Sequence, residues 1–280
     1  MMMETKRFKT VKLRHKAKTL NKKTYYNIST DRYYQSPTFF KKFLSCEAEA
    51  FAELQLNYKP DSDSTPLIVG NYLHSYFESS KAHQAFIDQH KSDIVTRSGT
   101  LRAPYQQAET MIDTLSSDKM FKKLYKGRKE VIVRGKINDI DWKGKIDCLN
   151  LERGYFIDLK TTRDINKKYW NNDEHSWESF VAAYNYQLQM YVYQQLIYQQ
   201  YGVMCVPYIV AVTKEKVPAK AIISISDERL QEAEYQIDGV QEHIEDVRNG
   251  IVKPARCEHC DYCKSTAILN DIVDMDDLID

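Results

Sequence analysis

The stretch Glu130–Thr161, EVIVRGKINDIDWKGKIDCLNLERGYFIDLKT, decides how this chain reads. Before it the apolar residues recur at helical spacing. Within it they alternate or form short β-rich runs. Turn signals at Asp141–Gly144 and Glu152–Gly154 divide it into three expected strands, VIVRGKINDID, KGKIDCLNL and YFIDLKTT, a meander. On a strand, residues two apart share a face, so Asp158 and Lys160 project together while Ile157 and Leu159 point to the core. Asp147 closes Gly144-Lys-Ile-Asp147 on the preceding strand, within pairing reach of Asp158. Two carboxylates beside one ammonium suit a hard divalent cation with a lysine near the attacking water, which are the parts phosphodiester hydrolysis needs. An isolated Asp-X-Lys is more often a salt bridge on an exposed strand, so the surroundings must decide.

Upstream, Ser36-Pro37 opens a helix expected to run to about Leu56, a second starts near Leu67, and a third covers residues 105–125. His74 and Glu78 are spaced i, i+4 on the second, with His74 suited to ligate a metal at the sheet. Downstream, a long helix is expected over residues 177–201, with Gln187 and Tyr191 on one face. Strands at Val203–Val212 and Ala221–Ile225 and an amphipathic helix over 227–249 follow. The expected fold is α/β (α+β): a central mixed sheet with an antiparallel meander, flanked by helices. It should occupy residues 36–266, between a basic arm (1–35) and an acidic tail (267–280).

Apolar residues are 42% of the 280, enough for a sizeable core, which excludes a disordered protein. Gly and Pro total only 16, which favours helix-rich structure. The apolar runs are far short of a bilayer span, and no hydrophobic segment follows the N-terminal charges as in a signal peptide. A cytoplasmic location is expected, without membrane contact. The net charge of +1 hides segregation: through Lys42 there are twelve Lys/Arg against two acids, while the last ten residues hold five Asp and no base. Lys12, Arg14, Lys16 and Lys18 lie in that basic arm, which reads either as a solvated tail or as a phosphate-contacting segment. The tail, with apolar residues between its acids, reads either as a solubilising end or as a dock for a basic partner.

Of six cysteines, Cys257, Cys260 and Cys263 form a Cys-x2-Cys-x2-Cys run, while Cys148 and Cys205 sit in apolar strands as inert thiols. Such a run in a cytosolic chain points to metal rather than disulfides. The spacing suits an iron–sulfur cubane with Cys46 as the remote fourth ligand. Structural zinc, held by the three and either Cys46 or His259, is the alternative.

The ordered set His74, Gly144-x-x-Asp147, Asp158-x-Lys160 and Gln187-x-x-x-Tyr191 resembles the RecB-type branch of the PD-(D/E)XK nuclease superfamily, over residues 36–265. Phage and prophage exonucleases related to the RecE nuclease domain (exonuclease VIII) are similar in Phe43-Leu-Ser-Cys-Glu-Ala, Gly70-Asn-Tyr-Leu-His-Ser-Tyr-Phe-Glu and Cys260-Asp-Tyr-Cys263-Lys. The resemblance implies a metal-dependent DNA exonuclease acting in recombination. Asp147, Asp158, His74 and the Leu159 carbonyl would hold Mg²⁺ or Mn²⁺, and Lys160 would act on the attacking water. Gln187 and Tyr191 would position DNA or the catalytic strand, and Glu130 is a further candidate support. The cysteines resemble those of AddB-type nucleases, which implies a [4Fe-4S] cluster joining the ends of the domain, although the last gap is shorter here. Linear or single-stranded DNA, a single-strand annealing recombinase and a homo-oligomer are the partners implied. A catalytically silent DNA-binding module on the same scaffold and a single-strand-specific nuclease of the same chemistry are the competing readings.

Overall fold

The computed structural model describes residues 19–61, 64–172, 174–269 and, near the C-terminus, 272, 274 and 275. Lys12, Arg14, Lys16, Lys18 and most of the acidic tail lie outside the described residues. The first eight helices are α1 (Ile28–Tyr33), α2 (Pro37–Ser45), α3 (Glu47–Leu54), α4 (Thr65–Glu78), α5 (Ser80–Gln89), α6 (Lys91–Ile94), α7 (Ala103–Ser116) and α8 (Lys119–Leu124). There follow β1 (Arg128–Ile137), β2 (Ile140–Asn150), β3 (Tyr155–Thr162), β4 (Tyr169–Asn171), β5 (Ser176–Glu178), α9 (Phe180–Ala183) and α10 (Tyr186–Tyr201). The chain continues through β6 (Val206–Thr213), β7 (Lys220–Ser224), α11 (Asp227–Arg248) and α12 (Asp261–Ser265).

β1, β2 and β3 form the antiparallel meander, β6 lies parallel to β3, and β7 returns antiparallel at the edge of a five-stranded mixed sheet. The parallel step needs a crossover, and α9 with α10 supplies it. One face of the sheet packs Val133, Ile146 and Phe156 against Phe40, Leu188, Leu196 and Ile237 of α2, α10 and α11. The other packs Ile157, Leu159 and Val210 against Leu73, Met111 and Ile112 of α4 and α7. The architecture is therefore the expected α/β one, with helices on both faces. Among the described residues no helix is long and apolar enough to cross a membrane.

Several local expectations are corrected. The first hairpin turns at Asn138-Asp139, with φ of 49° and 62°, and not at Asp141–Gly144. A two-residue turn of this hand needs both central residues left-handed, which Asn and Asp tolerate. Gly144 instead lies inside β2, where an added Cβ would come within 2.8 Å of the Tyr193 ring. The helix expected over Ser36–Leu56 breaks at Cys46, which is extended (φ −161°, ψ 109°). There the Ala48 amide donates to the Ala255 carbonyl at 2.9 Å, a distant contact that local propensity does not encode. Residues 105–125 likewise divide, because the Asp118 side chain accepts from Met120 N and Phe121 N and so starts α8. The helix expected from residue 177 is preceded by β5 and interrupted at Asn185, whose φ is 49°. Helices α5 and α6 and the β4–β5 hairpin were not anticipated.

The arm boundary also moves. Tyr25, Thr30 and Tyr34 are buried, and Gln35 pairs with Trp142 on the β2 edge that β3 leaves free. The Lys143 ammonium, 1% exposed, lies 2.7 Å from Asp31 Oδ1 and donates to Thr30 Oγ1 at 2.9 Å. Residues 25–35 are thus part of the packed domain.

Candidate active site

The sheet opens where its carboxylates lie. β2 and β3 pair only through Asn150↔Tyr155, Leu149↔Phe156 and Cys148↔Ile157. The next two residues, Asp147 and Asp158, stand at the parting of the strands, both buried. Asp147 Oδ2 takes over the role of a ladder acceptor, receiving the Leu159 amide at 2.7 Å. Across β1, Glu130 falls between the pairs Lys129↔Cys148 and Val131↔Ile146, with a φ of 52°. A non-glycine residue in the left-handed region of a strand is strained, and such strain gathers at functional sites.

Helices on the two faces complete the group. From α4, His74 Nδ1 approaches Asp147 Oδ1 at 3.3 Å. From α10, Gln189 Nε2 donates to Asp158 Oδ1 at 2.8 Å and to the Tyr193 hydroxyl at 3.1 Å. Lys160 Nζ lies 2.7 Å from Asp158 Oδ2, 3.4 Å from Gln189 Oε1 and 4.6 Å from the centre of the Tyr186 ring. His74, Glu130 and Asp147 offer ligand atoms within 4.8 Å of one another. Glu130 is also paired with Lys145, whose ammonium lies over the Tyr26 ring at 4.8 Å.

The electrostatics are divided. Burial raises the pKa of Asp147, but the His74 imidazole and Lys160 outweigh it and hold the carboxyl below its ordinary value. Asp158 moves the other way: burial and the neighbouring Asp147 charge exceed the pull of Lys160. Glu130 is raised for the same reasons, burial first and Asp147 second. His74 and Lys160 are raised because Asp147 and Asp158 respectively overcome their desolvation. Asp158 and Glu130 are therefore harder to ionise than an ordinary carboxyl, while Asp147 is easier. A divalent cation would stabilise the charged forms of both raised carboxyls, and oxygen and imidazole donors are the set Mg²⁺ or Mn²⁺ accepts. Asp158 Oδ2 meets the Lys160 ammonium at 2.7 Å and keeps a further lone pair to offer.

Of the residues expected at a site, His74, Asp147, Asp158, Lys160 and the Leu159 backbone come together. Glu130, a subsidiary candidate, joins them. Gln187 and Tyr191 do not: Tyr191 donates to Glu234 of α11 at 2.9 Å, and Gln187 Oε1 finds no hydrogen bond among the described residues. Gln189 and Tyr193 occupy the place foreseen for them, and these too are spaced i, i+4. Two residues along a helix is a rotation of roughly 200°, so the two registers face opposite ways. Because α10 is buried on most sides, its apolar pattern does not choose between them. Glu78 pairs with Lys22 at 2.6 Å, away from the carboxylates. Lys41 of α2 was missed. It donates to the Tyr184 carbonyl at 3.1 Å and lies 4.9 Å from the centre of the Tyr186 ring that Lys160 also touches. Burial, helped by the Lys160 charge, lowers its pKa to about 8.

At the far end of α2 the four cysteines Cys46, Cys257, Cys260 and Cys263 bring their sulfurs within 4.8 Å of one another. Cys46 Sγ is 3.6 Å from Cys263 Sγ and 3.7 Å from Cys260 Sγ. His259 is exposed and outside the group. Cys257 Sγ accepts the His259 and Cys260 amides, bonds that lower its pKa to about 6.

A family model described as a PDDEXK-like domain of unknown function (DUF3799) matches residues 36–266. The chain belongs to this PDDEXK-like family. A solved structure of a candidate exonuclease from Eubacterium rectale is 31% identical and covers 94% of this chain and 99% of its own, with a TM-score of 0.87. A second, of SSO0001, is 17% identical over 81% of this chain and 91% of its own, with a TM-score of 0.32. No curated protein matches the chain.

Proposed function

We propose that this PDDEXK-like chain is a metal-dependent nuclease that hydrolyses phosphodiester bonds of linear DNA from its ends, as in the processing of ends for recombination. The observation that carries the proposal is the convergence of Asp147, Asp158 and Lys160 where β2 and β3 part. The likeness to a candidate exonuclease over nearly the whole of both chains supports the end-directed form. Bound Mg²⁺ or Mn²⁺ supplies charge neutralisation at the phosphoryl group and a more acidic water. Asp147, Asp158, Glu130 and His74 are the residues that hold it. The Lys160 ammonium, kept charged by Asp158, orients the attacking water against the phosphate. Gln189 fixes the Asp158 carboxylate, and Tyr193 fixes Gln189.

Linear duplex labelled separately at each end, with single-stranded and closed circular DNA beside it, tests the proposal in Mg²⁺. Linear DNA should be degraded from an end, and Asp158→Asn or Lys160→Met should lower the rate at least about hundredfold in a folded protein. Full activity in either variant would refute the site. Binding without cleavage would leave the silent DNA-binding module.

The cysteine group takes a metal of its own in this reading, and its spacing supports one tetrahedral zinc ion. Thiolates on a single ion at about 2.3 Å stand about 3.8 Å apart, close to the 3.6 and 3.7 Å here. A cubane gives each thiolate a separate iron, which sets the sulfurs roughly 6 Å apart. That spacing favours zinc over the [4Fe-4S] cluster that the resemblance implies. Metal analysis of anaerobically purified protein should find about one zinc per chain and no visible chromophore. A brown protein with iron and sulfide would reverse the assignment.

A further inference from the structure

We infer that the β4–β5 hairpin is a base-stacking platform for a single-stranded DNA end beside the candidate active site, an inference that rests on the nuclease reading. Trp170 and Trp177 are cross-strand partners with ring centres 5.2 Å apart, and they are 49% and 63% exposed. Adjacent strand residues point to opposite faces. Tyr169 accordingly turns inward to the edge of the core, and the two indoles are left facing outward. Among the described residues they stack on nothing but each other.

The place of the hairpin says what they meet. It follows directly on β3, the strand of Asp158 and Lys160. From its inner face the rings run on toward the carboxylates: Tyr169 to Tyr184 at 5.6 Å, Tyr184 to Tyr186 at 5.8 Å, and Tyr186 to Lys160 Nζ at 4.6 Å. The connection from β3 exposes Arg163, Lys167 and Lys168, whereas the tip carries Glu174. Phosphates are thus accommodated at the base of the hairpin and ring faces along its outer side. Every nucleobase has a face to stack whatever the sequence, but in duplex those faces are already covered, so the platform takes unpaired nucleotides. A second copy of the chain would have no use for cations leading to the catalytic lysine.

The chain has three tryptophans, and the third, Trp142, is fully buried. The DNA-sensitive part of the tryptophan fluorescence therefore comes from the hairpin. Adding a single-stranded oligonucleotide to the full-length protein without added divalent metal should quench it. The W170A/W177A variant should bind that oligonucleotide about tenfold more weakly or worse. In Mg²⁺ its KM for linear DNA with frayed ends should rise while kcat is kept, and W170F/W177F should restore affinity. Unchanged affinity in the Ala variant would overturn the inference, as would a changed oligomeric state by light scattering with DNA binding intact. Failure of the nuclease reading would appear separately, as absence of cleavage by the wild type or its persistence in Asp158→Asn.

Discussion

At the scale of single residues, function rests on which side of a strand or helix a polar group emerges. Gln189 reaches Asp158, whereas Gln187, two positions earlier, faces away. Gln189→Ala should lower turnover by roughly tenfold or more, since catalytic groups must be held to within about 0.5 Å. Gln187→Ala should leave it within about twofold, and steady-state kinetics on linear DNA separates the two. Lys41 makes a test by pH. Its ordinary pKa is 10.5, and in the folded chain it is about 8. Between those values the unfolded chain binds more protons, so this group's contribution to stability grows as pH rises from about 8 and is lost as pH falls through it. Lys41→Met should therefore raise the denaturation midpoint at neutral pH and remove part of the wild-type gain near pH 10. Its affinity for DNA should fall, because a phosphate would neutralise an ammonium that has no ion-pair partner among the described residues. An identical pH profile in the variant would contradict this.

At the scale of elements, the meander is held open by what fills the gap between β2 and β3. Gln35 takes the free edge at Trp142, and Asp31 neutralises the buried Lys143 beneath it. Removing one partner leaves a buried charge unpaired, so Asp31→Ala should cost about 3 kcal/mol or more in urea unfolding. The double change Asp31→Leu, Lys143→Met should recover most of that loss. Equal destabilisation in single and double variants would mean that packing, not charge, dominates. The meander and the helix–sheet–helix order were legible because periodicity of apolar residues reports burial directly. The breaks at Cys46, Ser117–Asp118 and Asn185 were not, because each is set by a cap or a contact with a distant segment.

At the scale of the whole molecule, the cysteines join segments more than two hundred residues apart. Holding Cys46 to Cys263 closes a long loop and so restricts the unfolded chain. Cys46→Ser should lose the metal and lower the melting temperature by several degrees, while residues near Cys263 become accessible to protease. Retained zinc in that variant would disprove the four-thiolate site. The net charge of +1 also resolves at this scale. Twelve basic residues lie in the first 42 positions and five Asp in the last ten, so near neutrality does not oppose contact with DNA.

By itself the sequence determined the fold class, the strands that carry Asp147, Asp158 and Lys160, and the grouping of the late cysteines. Each is encoded in short-range spacing, where residue type and period fix face and burial. Only the tertiary structure decided that Gln189 and Tyr193 lie at the carboxylates, that Glu130 belongs with His74 and Asp147, and that Lys41 stands beside Lys160. The same holds for the meeting of Cys46 with Cys257, Cys260 and Cys263, whose sulfurs lie within 4.8 Å of one another. Those facts depend on how helices rotate against the sheet, and rotation is set by packing among segments distant in sequence.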